Sequence, residues 1–326
     1  MKTNKIISSI NNVSAKRKFS MWLILLFLSP WLSCSVLAAA APAKILIINS
    51  DESVNKYREV KAAFKSQITP YASRIIDFNL KDAQEPAVLE KLIKDESPDI
   101  IYSIGSLAYQ LAAQYNGTKP LLFSSVINWE RFGRRENNYG VANELSLSQE
   151  MSLLRYVLPG LSKIGVIYDP NFNTERIVEA RKQTLELGLK LVELKLDSVD
   201  DLDKNLETLL SGVDVLWLIA DPGVLADKAT VEKIFASSAQ LKKPIYTYSD
   251  AFVNYGASLV IAADTPTMGR QAANLAQSIL LHESIKEIVQ TPAGSTITLN
   301  TCQLGKINAG YNEDALDSVN QLVGCH

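Results

Sequence analysis

Asp221 follows the uncharged run of residues 215–220 and precedes Pro222 and Gly223, so an apolar segment ends on a carboxylate at a turn. Two chemistries suit such a residue. It can cap the N–H groups of a following helix, with Pro222 at the favoured first helical position, or it can meet a ligand's cation from the tip of a buried strand. Five other stretches look alike. Residues 50–53, Gly105-Ser106 and Ser124-Ser125 offer hydroxyls and free N–H groups of the kind that hold an anion at a helix start. Residues 169–173 and 248–250 offer carboxylates and rings, which suit a cation or an aromatic group. The chain has 2 histidines, His282 after a helical segment and His326 at the last position, so none stands in these stretches as a general base. There is no GxSxG, no metal pattern of histidines or cysteines, and no GxGxxG or Walker loop. An Asp169–Asp221 pair is all that remains for acid–base work. The expectation is a binding protein without catalytic residues or cofactor.

The elements that must position these residues are legible from residue 44 onward. KILIIN, SRIIDF, DIIYSI and PLLFSS read as short buried strands, and VNKYREVKAAFKSQI, PAVLEKLIKDE and SLAYQLAAQY between them carry helical spacing. A second series follows, with KIGVIYD, LKLVELKL, DVLWLIA and KPIYTYS as strands and TERIVEARKQTLELG, DDLDKNLETLLSG and KATVEKIFASSAQLK as helices. Continuous apolar strands alternating with amphipathic helices predict parallel sheets covered on both faces, an α/β fold. Three pairs of strands match in order, from Lys44 and Lys163, Asp99 and Asp214, and Lys119 and Lys243, at spacings of 119, 115 and 124 residues. Two similar Rossmann-like lobes are expected, with the six stretches gathered at a cleft beyond the carboxyl ends of their strands. A solute with both an anionic and a cationic end, such as an amino acid, fits between them.

The first forty residues differ. Their only charges are Lys2, Lys5, Lys16, Arg17 and Lys18, followed by MWLILLFLSPWLSCSVLAAAA. A basic region, an apolar core and small residues at 36–38 or 38–40 give the order of a secretory signal peptide. The apolar part is also about as long as the roughly 20 residues that span a bilayer, so an uncleaved anchor is the alternative, and a lipid on Cys34 is a third. Each places the remainder outside the cytoplasmic membrane, in the periplasm. Without residues 1–40 the chain carries 28 lysines and arginines against 35 acidic residues, a net charge of −7, which offers no basic face to nucleic acid. Cys302 and Cys325 remain; an oxidising compartment allows them to pair and pin the C-terminal tail, and two separate thiols are the alternative.

PDIIYSIGSLAYQLA, LLRYVLPGLSKIGVIYDPNFN, LIADPGVL and KKPIYTYSDAFVNYGASLVIAADTPTMGRQAANLAQSIL together resemble the substrate-binding proteins of ABC transporters typified by tryptophan and tyrosine binders. The resemblance covers nearly the whole chain after the leader and implies a type I periplasmic-binding-protein fold. Gly105-Ser106 stands where that family has Gly-Thr, and Ala262-Ala263-Asp264 where it has Gly-Pro-Asp. The resemblance implies three crossings between lobes, near Asn143, Val260 and Thr291, giving one lobe of residues 44–143 plus 261–290 and another of 144–260 plus 291–326. The helix MGRQAANLAQSILL then joins the first lobe. Ser50, Ser106 and Ser125 are expected to take a ligand carboxylate, Asp221, with Asp169 and Asp264 nearby, an ammonium, and Tyr248, Tyr168 or Trp129 an apolar or aromatic side chain. Trp129 also suits a rim or partner surface, and Arg131, Arg134 and Arg135 beside it read as solvated charge. The implied partners are a small-molecule ligand and an ABC permease in the inner membrane, or a membrane sensor that reads the closed lobes.

Overall fold

The computed structural model describes residues 42–82, 86–196 and 199–325; the leader of residues 1–40 lies outside them. From Ala40 onward the chain forms one compact unit. The first half alternates as expected: β1 (Ala43–Asn49), α1 (Asn55–Ile68), β2 (Ala72–Asn79), α2 (Pro86–Glu96), β3 (Ile100–Ile104), α3 (Ser106–Tyr115), β4 (Leu121–Ser124) and β5 (Asn138–Val141). The second half repeats the pattern with α4 (Leu147–Val157), β6 (Lys163–Tyr168), α5 (Pro170–Glu186), β7 (Lys190–Lys195), α6 (Val199–Ser211), β8 (Val215–Leu218), α7 (Lys228–Gln240), β9 (Ile245–Thr247) and β10 (Leu259–Ala263). The chain then returns through α8 (Thr265–Leu280) and β11 (Val289–Gln290), and ends with β12 (Ser295–Asn300), α9 (Thr301–Ile307) and β13 (Gln321–Val323).

Two sheets result. The first has six strands in the order β11-β5-β4-β3-β1-β2, all parallel. The second has seven in the order β13-β12-β10-β9-β8-β6-β7, with only β10 and β12 antiparallel. β1 and β3 are buried along nearly their whole length, as strands covered on both faces must be. Their side chains divide between two cores. Ile45 and Ile47 pack on one face with Phe64 and Tyr102, whose rings stack at 4.0 Å, and Leu46 and Ile48 face Leu89 and Tyr109 on the other. In the second lobe Leu216 and Leu218 meet α6 and α7 through Leu209, Leu210 and Ile234.

The chain crosses between sheets three times: after β5, after β10 and after β11. The middle crossing comes later than the resemblance suggested. β10 lies whole in the second sheet, paired with β9 and β12 as far as Ala263, so the change of lobe falls at Asp264 rather than near Val260. The physical reason is the ladder itself, which would lose its antiparallel partner if divided at Ile261. Asp264 caps α8 by accepting from the Thr267 N–H at 2.9 Å, and its own N–H donates to Gly294 at 3.0 Å, which ties the middle crossing to the third. α8 packs along α1 in the first lobe, where Gly269 lies against the Val60 carbonyl with no room for a Cβ. Ala142 N–H donates to the Gln290 carbonyl at 2.9 Å and joins the first crossing to the third. A disulfide links Cys302 in α9 to Cys325 beyond β13.

Candidate functional site

The first and third crossings, the loop after β4 and the carboxyl ends of the second sheet line a cavity of about 240 Å³. Its walls come from both lobes. Asn128 and Trp129 belong to the loop after β4, Glu144 to the first crossing, Glu150 to the first turn of α4, Arg176 to α5, Trp217 to the end of β8, and Tyr248 to the turn after β9. Gln290 and Thr291 of the third crossing complete it.

Helix chemistry places the charged residues. Ser146 caps α4 by accepting from the Gln149 N–H at 3.3 Å, which fixes Glu150 one turn in, on the same face as Leu147, Met151 and Leu154. Asp169 caps α5 through the Asn171 N–H at 2.8 Å, with Pro170 following, and α5 then carries Arg176 toward α4. One guanidinium nitrogen of Arg176 donates to both oxygens of Glu150 at 3.0 Å each, and the guanidinium lies 5.5 Å from the centre of the Trp217 ring. The pair is nearly dry, with side-chain exposures of 19% and 4%.

Burial dominates the electrostatics here. It pushes Glu150 up to about 7 against the pull of Arg176, with Glu144 adding to the rise. Glu144 is raised for the same reason, burial first, although Arg176 and a 2.7 Å hydrogen bond from the Asn128 N–H oppose it. Tyr248 is pushed up to about 12 by burial and by Glu144. Burial works against the charge of Arg176, but Glu150 and Glu144 together carry it above its ordinary value. Lys56, on α1 of the opposite lobe, is lowered by burial while Asp250 and Glu144 favour its charge. Three carboxylates, one guanidinium, two indoles and a phenol therefore line one space between lobes, which can hold a small solute by a charged group and a ring.

Residues 45–323 match the family model described as ABC transporter substrate binding protein. The chain belongs to this family. A curated relative, the tyrosine-binding protein of Clostridioides difficile strain R20291, is 26% identical over 239 residues, which span 68% of this chain and 66% of that protein, just under two thirds of its length. Among solved structures, a ligand-free, open substrate-binding protein with adhesive properties from Clostridium difficile aligns with a TM-score of 0.68 at 20% identity, covering 87% of this chain and all of that one. An ABC domain in complex with L-Trp from Streptococcus pneumoniae aligns with a TM-score of 0.60 at 17% identity, covering 86% of this chain and all of that one. The fold of this substrate-binding protein is thus the type I periplasmic-binding-protein fold that its sequence resembles.

Of the residues expected at the site, Tyr248 and Trp129 line the cavity. The others lie outside its lining and make contacts within the protein. Asp221 is 1% exposed, and its carboxylate accepts from four protein donors: the Asp169 N–H at 2.8 Å, the Asn173 amide at 2.7 Å, the Gly223 N–H at 2.9 Å and the Val224 N–H at 3.0 Å. It neither reaches the cavity nor caps α7, whose cap is Asp227. It clamps the turn after β8 to the start of α5 and draws Asn173 out of helical geometry (φ −131°, ψ 15°). Asp221→Ala strands these donors, and about 3 kcal/mol of stability is expected to go with them. Urea unfolding checks this; a carboxylate devoted to ligand would instead abolish binding and leave stability intact.

The serines are similarly engaged. Ser50 donates to the Ile104 carbonyl and accepts from the Ala108 N–H, both at 2.9 Å, so it caps α3 from a neighbouring strand. Gly105 sits between them at φ +90°, where a Cβ would come within 2.6 Å of the Ser50 hydroxyl and 3.0 Å of the Tyr57 ring. Gly105→Ala is expected to cost about 2 kcal/mol, read by denaturant unfolding, through backbone strain and that clash together. Ser106 accepts from the Ile127 N–H at 3.1 Å. Ser125 is buried at φ +56°, its hydroxyl 3.6 Å from the Met268 sulfur. Tyr168 is buried and reaches Glu193 at 3.4 Å, on the side of β6 that faces β7. Glu144, Glu150, Arg176 and Trp217 were not among the expected residues. The visible signal for Glu150 was a carboxylate three residues after Leu147, on an otherwise apolar helical face.

Proposed function

We propose that this protein captures an amino acid with an aromatic or apolar side chain outside the cytoplasmic membrane and presents it, lobes closed, to an ABC permease. The cavity between the lobes carries this reading. It is lined by the first and third crossings, so a solute held there bears on segments about which the lobes turn. Trp129, Trp217 and Tyr248 suit a ring or an apolar chain. The tyrosine-binding relative and the tryptophan-bound structure of similar fold point to the same solute class. Closure already has a contact to build on, since the Asn128 amide of the first lobe donates to the Phe172 carbonyl of the second at 2.9 Å. Residues 1–40 serve as the signal peptide that exports the chain to the periplasm. Family membership favours delivery to a permease over reporting to a membrane receptor.

The test is a thermal-shift screen of the chain from Ala41 onward, which carries every described element, against the common amino acids, nucleosides and small carboxylates. A native-state ligand raises the melting temperature with its concentration. A rise with aromatic or large apolar amino acids supports the reading; a rise confined to sugars, nucleosides or dicarboxylates contradicts it.

A further inference from the structure

Three acidic side chains line the cavity, Glu130 at its mouth and Glu144 and Glu150 inside, against the single guanidinium of Arg176. Arg176 is committed, because it spans both oxygens of Glu150 at 3.0 Å. Glu144 is not. It receives backbone N–H groups only, from Asn128 at 2.7 Å and its own, and among the described residues no hydrogen bond brings a side-chain donor to it. A half-buried carboxylate with spare acceptor capacity, set among the rings of Trp129, Trp217 and Tyr248, is the arrangement that recognises a protonated amine. The charge-assisted hydrogen bond and the faces of the rings both favour a cation. We infer that Glu144 is the receptor for a protonated amine of the captured solute, so that this site selects aromatic or apolar solutes that carry an ammonium and refuses their deaminated acids.

This rests on the cavity being the solute site, and it specifies which group of the solute is indispensable. A deaminated acid would bring a carboxylate toward Glu144 and Glu150, where the one cation lining the cavity, Arg176, is already held by Glu150, whereas a decarboxylated amine would keep the contact that matters. The charged and titratable groups around Glu144 are Arg176 of α5, Glu150 of α4, Glu130 and Arg131 of the loop after β4, Lys56 of α1 and Tyr248 after β9. Burial holds Glu144 above its ordinary value, so acid protonates it and removes the amine's partner. Affinity for the amine accordingly falls as pH drops below that raised range, and binding from the acid side releases a proton.

Calorimetric titration of the chain from Ala41 onward with three matched solutes tests this: L-tyrosine, tyramine and 3-(4-hydroxyphenyl)propionate, with the tryptophan, tryptamine and indole-3-propionate set beside them. The expected result is that the amino acid and the amine bind and the deaminated acid binds at least about tenfold more weakly. Glu144→Gln, which keeps the oxygen that accepts from Asn128, is expected to weaken the amine-bearing solutes about tenfold to a hundredfold and to abolish the discrimination. Glu144→Asp recovers part of each. Melting curves of the variants confirm that they fold. Binding of the deaminated acid within about threefold of its parent, or unchanged amine affinity in folded Glu144→Gln, overturns the inference while leaving the solute-binding reading standing. If no member of either set binds the wild-type protein and no large apolar amino acid raises its melting temperature, that reading falls and this one falls with it.

Discussion

Replacing Arg176 by methionine is expected to cost the fold about 3 kcal/mol at pH 8, because it leaves Glu150 buried without its partner, either charged or forced to take up a proton. The loss should depend on pH in a definite direction. Burial already raises Glu150 to about 7 from an ordinary value of 4.5, and removing the guanidinium raises it further. A carboxyl whose folded-state value lies above its unfolded one imposes no penalty below the unfolded value, a growing penalty as pH rises between the two, and the full penalty above the folded one. The variant's deficit should therefore be largest at pH 8 and shrink toward pH 5. Urea unfolding at pH 5, 6.5 and 8 checks it. Glu150→Gln combined with Arg176→Met should recover most of the loss, since an apolar–amide pair of similar volume removes both charges together. A pH-independent deficit would mean that Arg176 matters for packing on Trp217 rather than for its charge.

The second large effect concerns the C-terminal tail. Cys302→Ser with Cys325→Ser is expected to lower stability by about 3 kcal/mol, the loop-entropy value for a bridge spanning 23 residues. For a protein of this size that corresponds to a melting temperature lower by about 6 °C. The tail has little else to hold it. β13 pairs with β12 over three residues, and Gln321 and Leu322 are exposed. The measurement is calorimetric melting of the wild type with and without reductant beside the double variant. Reductant should bring the wild type down to the variant and leave the variant unchanged.

The lobes were legible in the sequence because their strands are apolar without interruption, which only parallel sheets covered on both faces demand. β1, β3, β6 and β8 announce themselves in this way. The short edge strands did not. β11 has two residues and β13 three, too few for any periodicity, and β10 read as part of a motif rather than as a strand. The cavity was harder to read for a different reason. Asp221 has every local mark of a ligand residue, yet its four donors come from residues 169, 173, 223 and 224, and that closure through α5 exists only once the fold has formed. Glu150 and Arg176 lie in helices that the pattern places well, but a charge on an apolar face does not reveal which partner neutralises it. Glu144 sits in a crossing with no period at all. Residues on strand tips were favoured by a rule about where sheets bind ligands; the carboxylates that line the cavity stand on the loop after β4, the first crossing and α4.

If solute binds in the cavity at the crossings, the chain carries its own reporters of it. Of its 4 tryptophans, Trp22 and Trp31 lie in the leader, and the remaining two, Trp129 and Trp217, both line the cavity. The decisive measurement is a titration of selectively excited tryptophan emission in the leaderless chain with the amino acid that raises its melting temperature most. A saturable change in emission is expected at the same concentrations that stabilise the protein, with a loss of amplitude in Trp217→Phe. Stabilisation by a solute that leaves the emission of both indoles unaltered would contradict binding in the cavity, placing the solute elsewhere on the protein.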